Sequence, residues 1–310
     1  EAGRNFGNKL WNATRFVLMN TESFQPGDFE PAELADRWIW SRMQATVRDV
    51  TGHLEGYRFA DLTRAVYDFV WRDYCDWYLE LAKVRLQGDN PQARLVIQRN
   101  MVAVLDTALR LLHPIMPFIT ETLWQALTGG DKGESLMVAA WPESTSDQRD
   151  AESESQMQRM QEVVTTVRVI RGEMNVPPAK RIELLVSAAG ADTAARLGEL
   201  EAYIALLCRA DSVTIGTELE QPAASASAVT GDIEIFVPLE GLIDFAAERQ
   251  RLQKEIDKFT GLLKGLDGKL ANANFVDKAP PEVVERERQR QGEYRDNLDK
   301  LQSSLQRIAD

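Results

Sequence analysis

Asn5, Lys9, Asn12 and Phe16 are spaced four, three and four residues apart, so a helix carries them along one stripe. Asn8 and Arg15 lie alongside, and the opposite stripe is apolar, formed by Phe6, Leu10, Ala13 and Val17. Side-chain amides and guanidinium groups address the edges of unpaired bases, and an aromatic ring stacks on an exposed base. The stripe therefore has the parts of a single-stranded RNA reader. A solvated helix face with Phe16 turned into the core would carry the same pattern. Arg168, Arg171, Lys180 and Arg181 form a second basic group. Its chemistry suits phosphates, which need charge more than shape. Solvated helix and strand ends would look the same.

Other chemistry is absent from the sequence. No G-x-x-x-x-G-K-[ST] phosphate loop, G-x-G-x-x-G fingerprint or G-x-S-x-G elbow occurs. Gly129-Gly130-Asp131-Lys132-Gly133 has the wrong spacing and reads as a turn. His53 and His113 have no His or Cys three or four residues away, so no metal site is expected. His113 precedes a proline and suits a helix end. Asp68, Asp73 and Asp76 fall at ordinary surface spacing on one helix. No residue is assigned a catalytic role.

These groups need a helical scaffold to position them. Apolar periodicity predicts helices from about Pro31 to Tyr57, Phe59 to Leu86, Gln92 to Leu112 and Pro117 to Leu127. Residues 143–156 are polar and acidic and read as a linker. Val163, Val167, Ile170 and Met174 mark another helix, ended by Asn175-Val176-Pro177-Pro178. Strands are expected at 182–186, 213–215 and 233–237, with a helix from about Ala191 to Cys208. Leu252, Ile256, Phe259, Leu263, Leu266 and Leu270 then make a heptad seam, and Tyr294, Leu298, Leu301, Leu305 and Ile308 repeat it. Asn272 to Pro281 separates the two runs, which predicts an antiparallel coiled-coil hairpin whose apolar tip, around Phe275 and Val276, either closes the hairpin or packs on an exposed base pair.

The expected fold class is mainly α. A helical bundle occupies 1–142, a linker and small α/β subdomain 143–241, and a coiled-coil arm 242–310. The length of 310 residues suits two domains, or three if one is small. The net charge of −12 argues against nucleic-acid binding by the whole surface. Residues 244–310 hold 13 Lys or Arg against 13 Asp or Glu, so the entire deficit lies in the earlier part. Cys75 and Cys208 follow no metal or redox spacing, so a reducing compartment such as the cytoplasm is expected. No apolar run is long enough to span a membrane.

Several stretches resemble one family. Asn8-Lys9-Leu10-Trp11-Asn12-Ala13-Thr14-Arg15-Phe16-Val17-Leu18 and Cys75-Asp76-Trp77-Tyr78-Leu79-Glu80-Leu81 resemble the anticodon-binding domain of bacterial valyl-tRNA synthetases. Leu112-His113-Pro114-Ile115-Met116-Pro117-Phe118-Ile119-Thr120-Glu121 is similar to a stretch shared by the class I enzymes for Val, Leu, Ile and Met. Ile170 to Lys180 resembles a following segment, and Phe236 to Asp244 leads into the coiled coil of the valine enzymes. Lys269 to Val276, with Ala279-Pro280, resembles its hairpin tip. Gly7 is a small departure, where a small thiol residue is expected.

The resemblance implies a tRNA-binding role. The signatures His-Ile-Gly-His and Lys-Met-Ser-Lys-Ser of the family's catalytic fold do not occur, nor does its editing domain. The chain is thus expected to be the C-terminal portion of such an enzyme, non-catalytic and without a cofactor of its own. ATP belongs to the parent enzyme. The implied partners are tRNA(Val) and the catalytic and editing domains, with no membrane and a monomeric state. Asn5, Lys9, Asn12, Arg15 and Phe16 are expected at the anticodon, and Arg168, Arg171, Lys180 and Arg181 on the tRNA backbone. Arg249, Lys254, Lys258, Lys269, Arg286 and Arg290 are expected to touch tRNA from the arm. The rival readings are a coiled-coil adaptor without RNA and a stand-alone enzyme with an unfamiliar site.

Overall fold

The computed structural model describes residues 2–21, 26–129, 134–145, 149–242, 245–278 and 280–307. The Gly130–Gly133 part of the expected turn, Ile243-Asp244, Ala279 and Ile308 lie outside the described residues. The chain divides into two compact units, Glu1–Gln161 and Glu162–Asp310. Among the described residues it is mainly α-helical with a small α/β part, as the periodicity predicts, and its sheet has four strands where three were expected.

The first unit is a helical bundle of α1 (Ala2–Asn20), α2 (Leu34–Glu55), α3 (Phe59–Asp68), α4 (Leu79–Gln87), α5 (Pro91–Leu112) and α6 (Pro117–Thr128). Local chemistry sets the boundaries. Glu33 and Asp36 form a reciprocal capping box at the start of α2. Asn90 accepts from the Gln92 and Ala93 N–H groups, and Pro91 occupies the first turn of α5. His113 caps the end of α5, as its position before a proline predicts, and its Nδ1 lies 2.8 Å from Thr120 Oγ1. Phe6, Leu10, Ala13 and Val17 of α1 are all buried. A Cβ on Gly7 would sit 3.6 Å from Ile119 Cδ1, an ordinary contact, so a small side chain fits there.

The predicted helix from Phe59 to Leu86 is continuous but not uniform. Between α3 and α4, Phe69–Tyr78 winds as a π-helix. This stretch buries Phe69, Val70, Tyr74, Cys75 and Tyr78. Tyr74 donates to the Met101 carbonyl at 2.9 Å.

Helix α7 (Ala151–Glu173) begins within the stretch expected to be a linker. Asp150 Oδ1 accepts the Ser153 N–H at 2.9 Å, and Ser41 Oγ donates to Glu154 Oε1 at 2.6 Å. Short polar side chains thus start a helix that carries buried Met157 and Met160.

In the second unit the strand order is β2-β1-β4-β3, with β1 (Ile182–Ala188), β2 (Ala210–Thr217), β3 (Ser225–Thr230) and β4 (Ile233–Pro238). β1 and β2 are parallel; the other two pairings are antiparallel. The parallel pair needs a crossover, supplied by α8 (Ala191–Gly198) and α9 (Glu201–Cys208) where one helix was expected. β3 gave no clear strand signal, because its first four residues, Ser-Ala-Ser-Ala, lack β-branched side chains and only Val229 and Thr230 supply them. The arm is α10 (Phe245–Ala271), the short α11 (Ala273–Lys278) and α12 (Pro281–Arg307). Phe259 meets Tyr294 edge to face at 5.7 Å, and Lys269 pairs with Glu287 at 3.1 Å. These contacts fix an antiparallel hairpin whose seam buries Leu252, Ile256 and Val284.

Candidate tRNA-binding surfaces

The stripe on α1 borders a groove in the first unit. Lys9, Asn12, Ala13 and Phe16 line one side; Cys75, Leu79, Glu80 and Lys83 line the other. The groove holds about 210 Å³. That is below the ~300 Å³ at which pockets for whole small molecules begin, so it suits one ring rather than a cofactor. Its walls combine an aromatic face, aliphatic carbons, a free amide and two cations. Those are the parts that hold an unpaired base.

Both cations are held in place by carboxylates. Lys9 Nζ lies 2.5 Å from Asp76 Oδ1 and 4.7 Å from the centre of the Trp71 ring. Lys83 Nζ lies 2.7 and 2.6 Å from the two Glu80 oxygens and 5.8 Å from the centre of the Phe16 ring. Burial pushes the Cys75 thiol up to about 12, with Lys9 opposing and Asp76 adding to the effect. Cys75 is thus a neutral wall at neutral pH rather than a nucleophile.

The expected residues separate on this surface. Asn5, Asn12 and Arg15 are exposed, whereas Lys9 and Phe16 are half-buried. The aromatic residue of α1 most open to solvent is Trp11, which is 50% exposed. The spacing pattern did not select it, although Asn8 and Arg15 flank it at −3 and +4. Lys83 was not selected either, since its approach to Phe16 depends on the winding of the π-helical stretch.

The second basic group largely serves the fold. Arg171 donates to three main-chain carbonyls: Cys208 at 3.1 Å, Pro177 at 3.1 Å and Lys180 at 2.8 Å. Burial, then the nearby Arg209, holds its guanidinium below the ordinary value. Arg181 pairs with Asp211 and donates to the Ala210 carbonyl at 2.6 Å. Lys180 and Arg168 are exposed. On the arm, Arg249, Lys254 and Lys258 of α10 and Arg286 and Arg290 of α12 are exposed. Lys269 is paired with Glu287 and lies 4.7 Å from the centre of the Phe275 ring, which it covers at the tip. Among the described residues no group of three or more His, Cys, Asp or Glu is placed to hold a metal. No described helix is long and apolar enough to cross a membrane.

Comparison with known proteins agrees with this architecture. A family model described as the anticodon-binding domain of tRNA ligase matches residues 36–186, and one described as the valyl tRNA synthetase tRNA binding arm matches 244–309. The chain is 41% identical to the valine–tRNA ligase of Geobacter sulfurreducens over 309 residues, covering 98% of this chain and 35% of that protein. It is 41% identical to the valine–tRNA ligase of Syntrophotalea carbinolica over 310 residues, covering 99% of the chain and 34% of the relative. For the Enterococcus faecalis valine–tRNA ligase the identity is 40% over 312 residues, covering 100% and 35%. The chain thus spans about a third of the length of these relatives. The bundle and hairpin define the anticodon-binding and arm-bearing part of an aminoacyl-tRNA ligase. The chain belongs to the valyl-tRNA synthetase family.

Proposed function

We propose that this chain is the tRNA-holding portion of a valine–tRNA ligase and grips tRNA(Val) at two separate places. The α1 stripe and its groove read the anticodon, through Asn5, Asn12, Arg15 and Phe16, with Lys9 fixed by Asp76 as part of the wall. The arm rests on the outer corner of the tRNA, with Arg249, Lys254, Lys258, Arg286 and Arg290 toward phosphates. Its α10 spans about 40 Å at 1.5 Å per residue, which suits contact far from the anticodon. The remaining portion of the enzyme activates valine with ATP and passes it to the tRNA held here. The partners are therefore tRNA(Val) and the catalytic and editing portions of the ligase, and the chain works as a cytoplasmic monomer.

One observation supports this reading: a ring-sized groove that has the Phe16 face as its wall and is lined by the Asn12 amide, which makes no hydrogen bond among the described residues. An electrophoretic shift with tRNA(Val) and an anticodon-changed tRNA(Val), at two salt concentrations, tests it. Binding should fall with salt and should favour the native anticodon. Equal, anticodon-independent binding would remove the groove from the reading, and no shift at all would favour an RNA-free adaptor.

A further inference from the structure

Among the described helices of ten or more residues, α1 is the one without any Asp or Glu, in a chain whose net charge is −12. Arg4, Asn8, Trp11 and Arg15 follow at intervals of four, three and four along it, and all four are exposed. Trp11 leaves half its surface in water, so its ring face is open to a ligand. Its neighbours are equally uncommitted. Among the described residues neither Arg4 nor Arg15 has a carboxylate partner, and the Asn8 and Asn12 amides make no hydrogen bond within the chain. The groove cations differ, since Lys9 and Lys83 are each tied to an acid. The Trp11 stripe is continuous with the groove but not part of it: Asn12 lines the groove, and Trp11 does not.

We propose that Trp11 is a stacking platform for a second unpaired RNA base, next to the one taken by the groove. Arg15 holds the phosphate between the two, and Asn8 reaches the edge of the stacked base. This rests on the reading that the chain binds tRNA, and it adds a nucleotide that the groove does not reach. The charge of α1 supports the choice of ligand, because a polyanion meets no repelling carboxylate on this helix. Every base offers a π-face, so stacking on Trp11 supplies affinity without selecting sequence. Phe16, enclosed by a shaped groove, supplies the selection.

The test uses the whole chain and transcripts of tRNA(Val) with native and altered anticodons, read by fluorescence polarisation at two salt concentrations. Trp11→Ala should weaken every transcript alike, about 5- to 100-fold, with an unchanged salt slope. Trp11→Phe should recover most of that loss. Arg15→Ala should lower the salt slope by about one. Circular dichroism of each variant should match that of the parent, since Trp11 is half-exposed. If Trp11→Ala binds like the parent while Phe16→Ala weakens, the platform is overturned and the tRNA reading stands. A Trp11→Ala loss confined to one anticodon would overturn the sequence-tolerant role. Altered self-association with unchanged RNA affinity would assign the stripe to a protein contact and overturn the proposal. If the parent chain binds no transcript, both readings fall.

Discussion

Tyr78 donates its hydroxyl hydrogen to Asp36 Oδ1 at 2.7 Å, within a part of the bundle closed to water. The other Asp36 oxygen takes Arg85 Nη1 at 2.6 Å, and Glu33 lies 3.3 Å from Arg85 Nε. Burial acts to lower the Arg85 guanidinium, but Asp36, Glu33 and Tyr78 together hold it above its ordinary value. Burial and Asp36 both push the Tyr78 phenol well up. The cluster joins the start of α2 to α4, so its charges are costly to separate. Asp36→Ala should destabilise the bundle by about 3–5 kcal/mol, because it leaves a buried guanidinium short of its partner. Tyr78→Phe should cost about 1.5–3 kcal/mol. Urea unfolding measures both, and a cost for Asp36→Ala below about 0.5 kcal/mol would contradict this account.

The groove predicts a separation of effects on RNA. Phe16→Ala or Asn12→Ala should reduce discrimination against an altered anticodon by about 1–3 kcal/mol. Competition binding with two anticodons reads this directly. Preserved discrimination in both folded variants would take the groove out of anticodon reading.

Arg171 leads to a different expectation, in stability rather than in binding. Its three carbonyl bonds join the turn after α7 to the end of α9. Arg171→Ala should lower the stability of the second unit by about 1–3 kcal/mol. Lys180→Ala, at an exposed position, should leave stability within about 0.5 kcal/mol and flatten the salt dependence of tRNA binding. A reversed pattern would show that Arg171 faces RNA.

Asp73 gives a pH dependence of unusual sign. It lies 2.8 Å from Arg42 Nε, yet burial raises its carboxyl above the ordinary value, with Arg42 and Arg72 opposing and Glu154 adding. The two partners differ: burial acts to lower Arg42, but Asp73 and Glu154 hold it raised. For Asp73 burial outweighs the pairing. A raised carboxyl contributes stability that is full below its unfolded value, about 3.9, and is lost as pH rises through the folded value. The stability difference between parent and Asp73→Asn should therefore shrink as pH rises through that window. Denaturant titrations at several acidic pH values would oppose this if the difference grew instead.

Cys75 and Cys208 should resist alkylation in the folded chain. Burial pushes both thiols up to about 12, so almost no thiolate exists at neutral pH. Mass spectrometry after iodoacetamide should find them modified only with denaturant present. Rapid native labelling of Cys75 would mean that the groove opens more deeply than its walls suggest.

The parts of this structure that were legible in the sequence are those set by local chemistry. The apolar stripe of Phe6, Leu10, Ala13 and Val17 fixed the buried face of α1, and the heptads fixed the hairpin. What escaped depends on neighbours. A helical wheel places Phe16 and Trp11 one step apart in character, and only the packing of α1 against the π-helical stretch makes one a wall and the other exposed. Ser225–Thr230 pairs with β4 despite weak strand residues, because the sheet supplies its hydrogen bonds. The early start of α7 did leave a signal, since Asp150 three residues before Ser153 is a cap pattern, but acidic composition masked it. Arg171 and Arg181 read as free cations, and nothing local shows that carbonyls and Asp211 would claim them.

The π-helical stretch has a consequence for what changes this chain can accept. Each residue of an ordinary helix advances the direction of the next side chain by about 100°. Wide turns at Phe69–Tyr78 set the phase of everything after them. Deleting one residue there, with the winding otherwise kept, would swing Leu79, Lys83 and Arg85 about a quarter-turn out of place. Lys83 and Leu79 would leave the groove, and Arg85 would leave Asp36, in a single event. The groove and the buried ion cluster thus share one reading frame of rotation: a substitution along these ten positions acts at its own side chain, whereas a change in their number disturbs both.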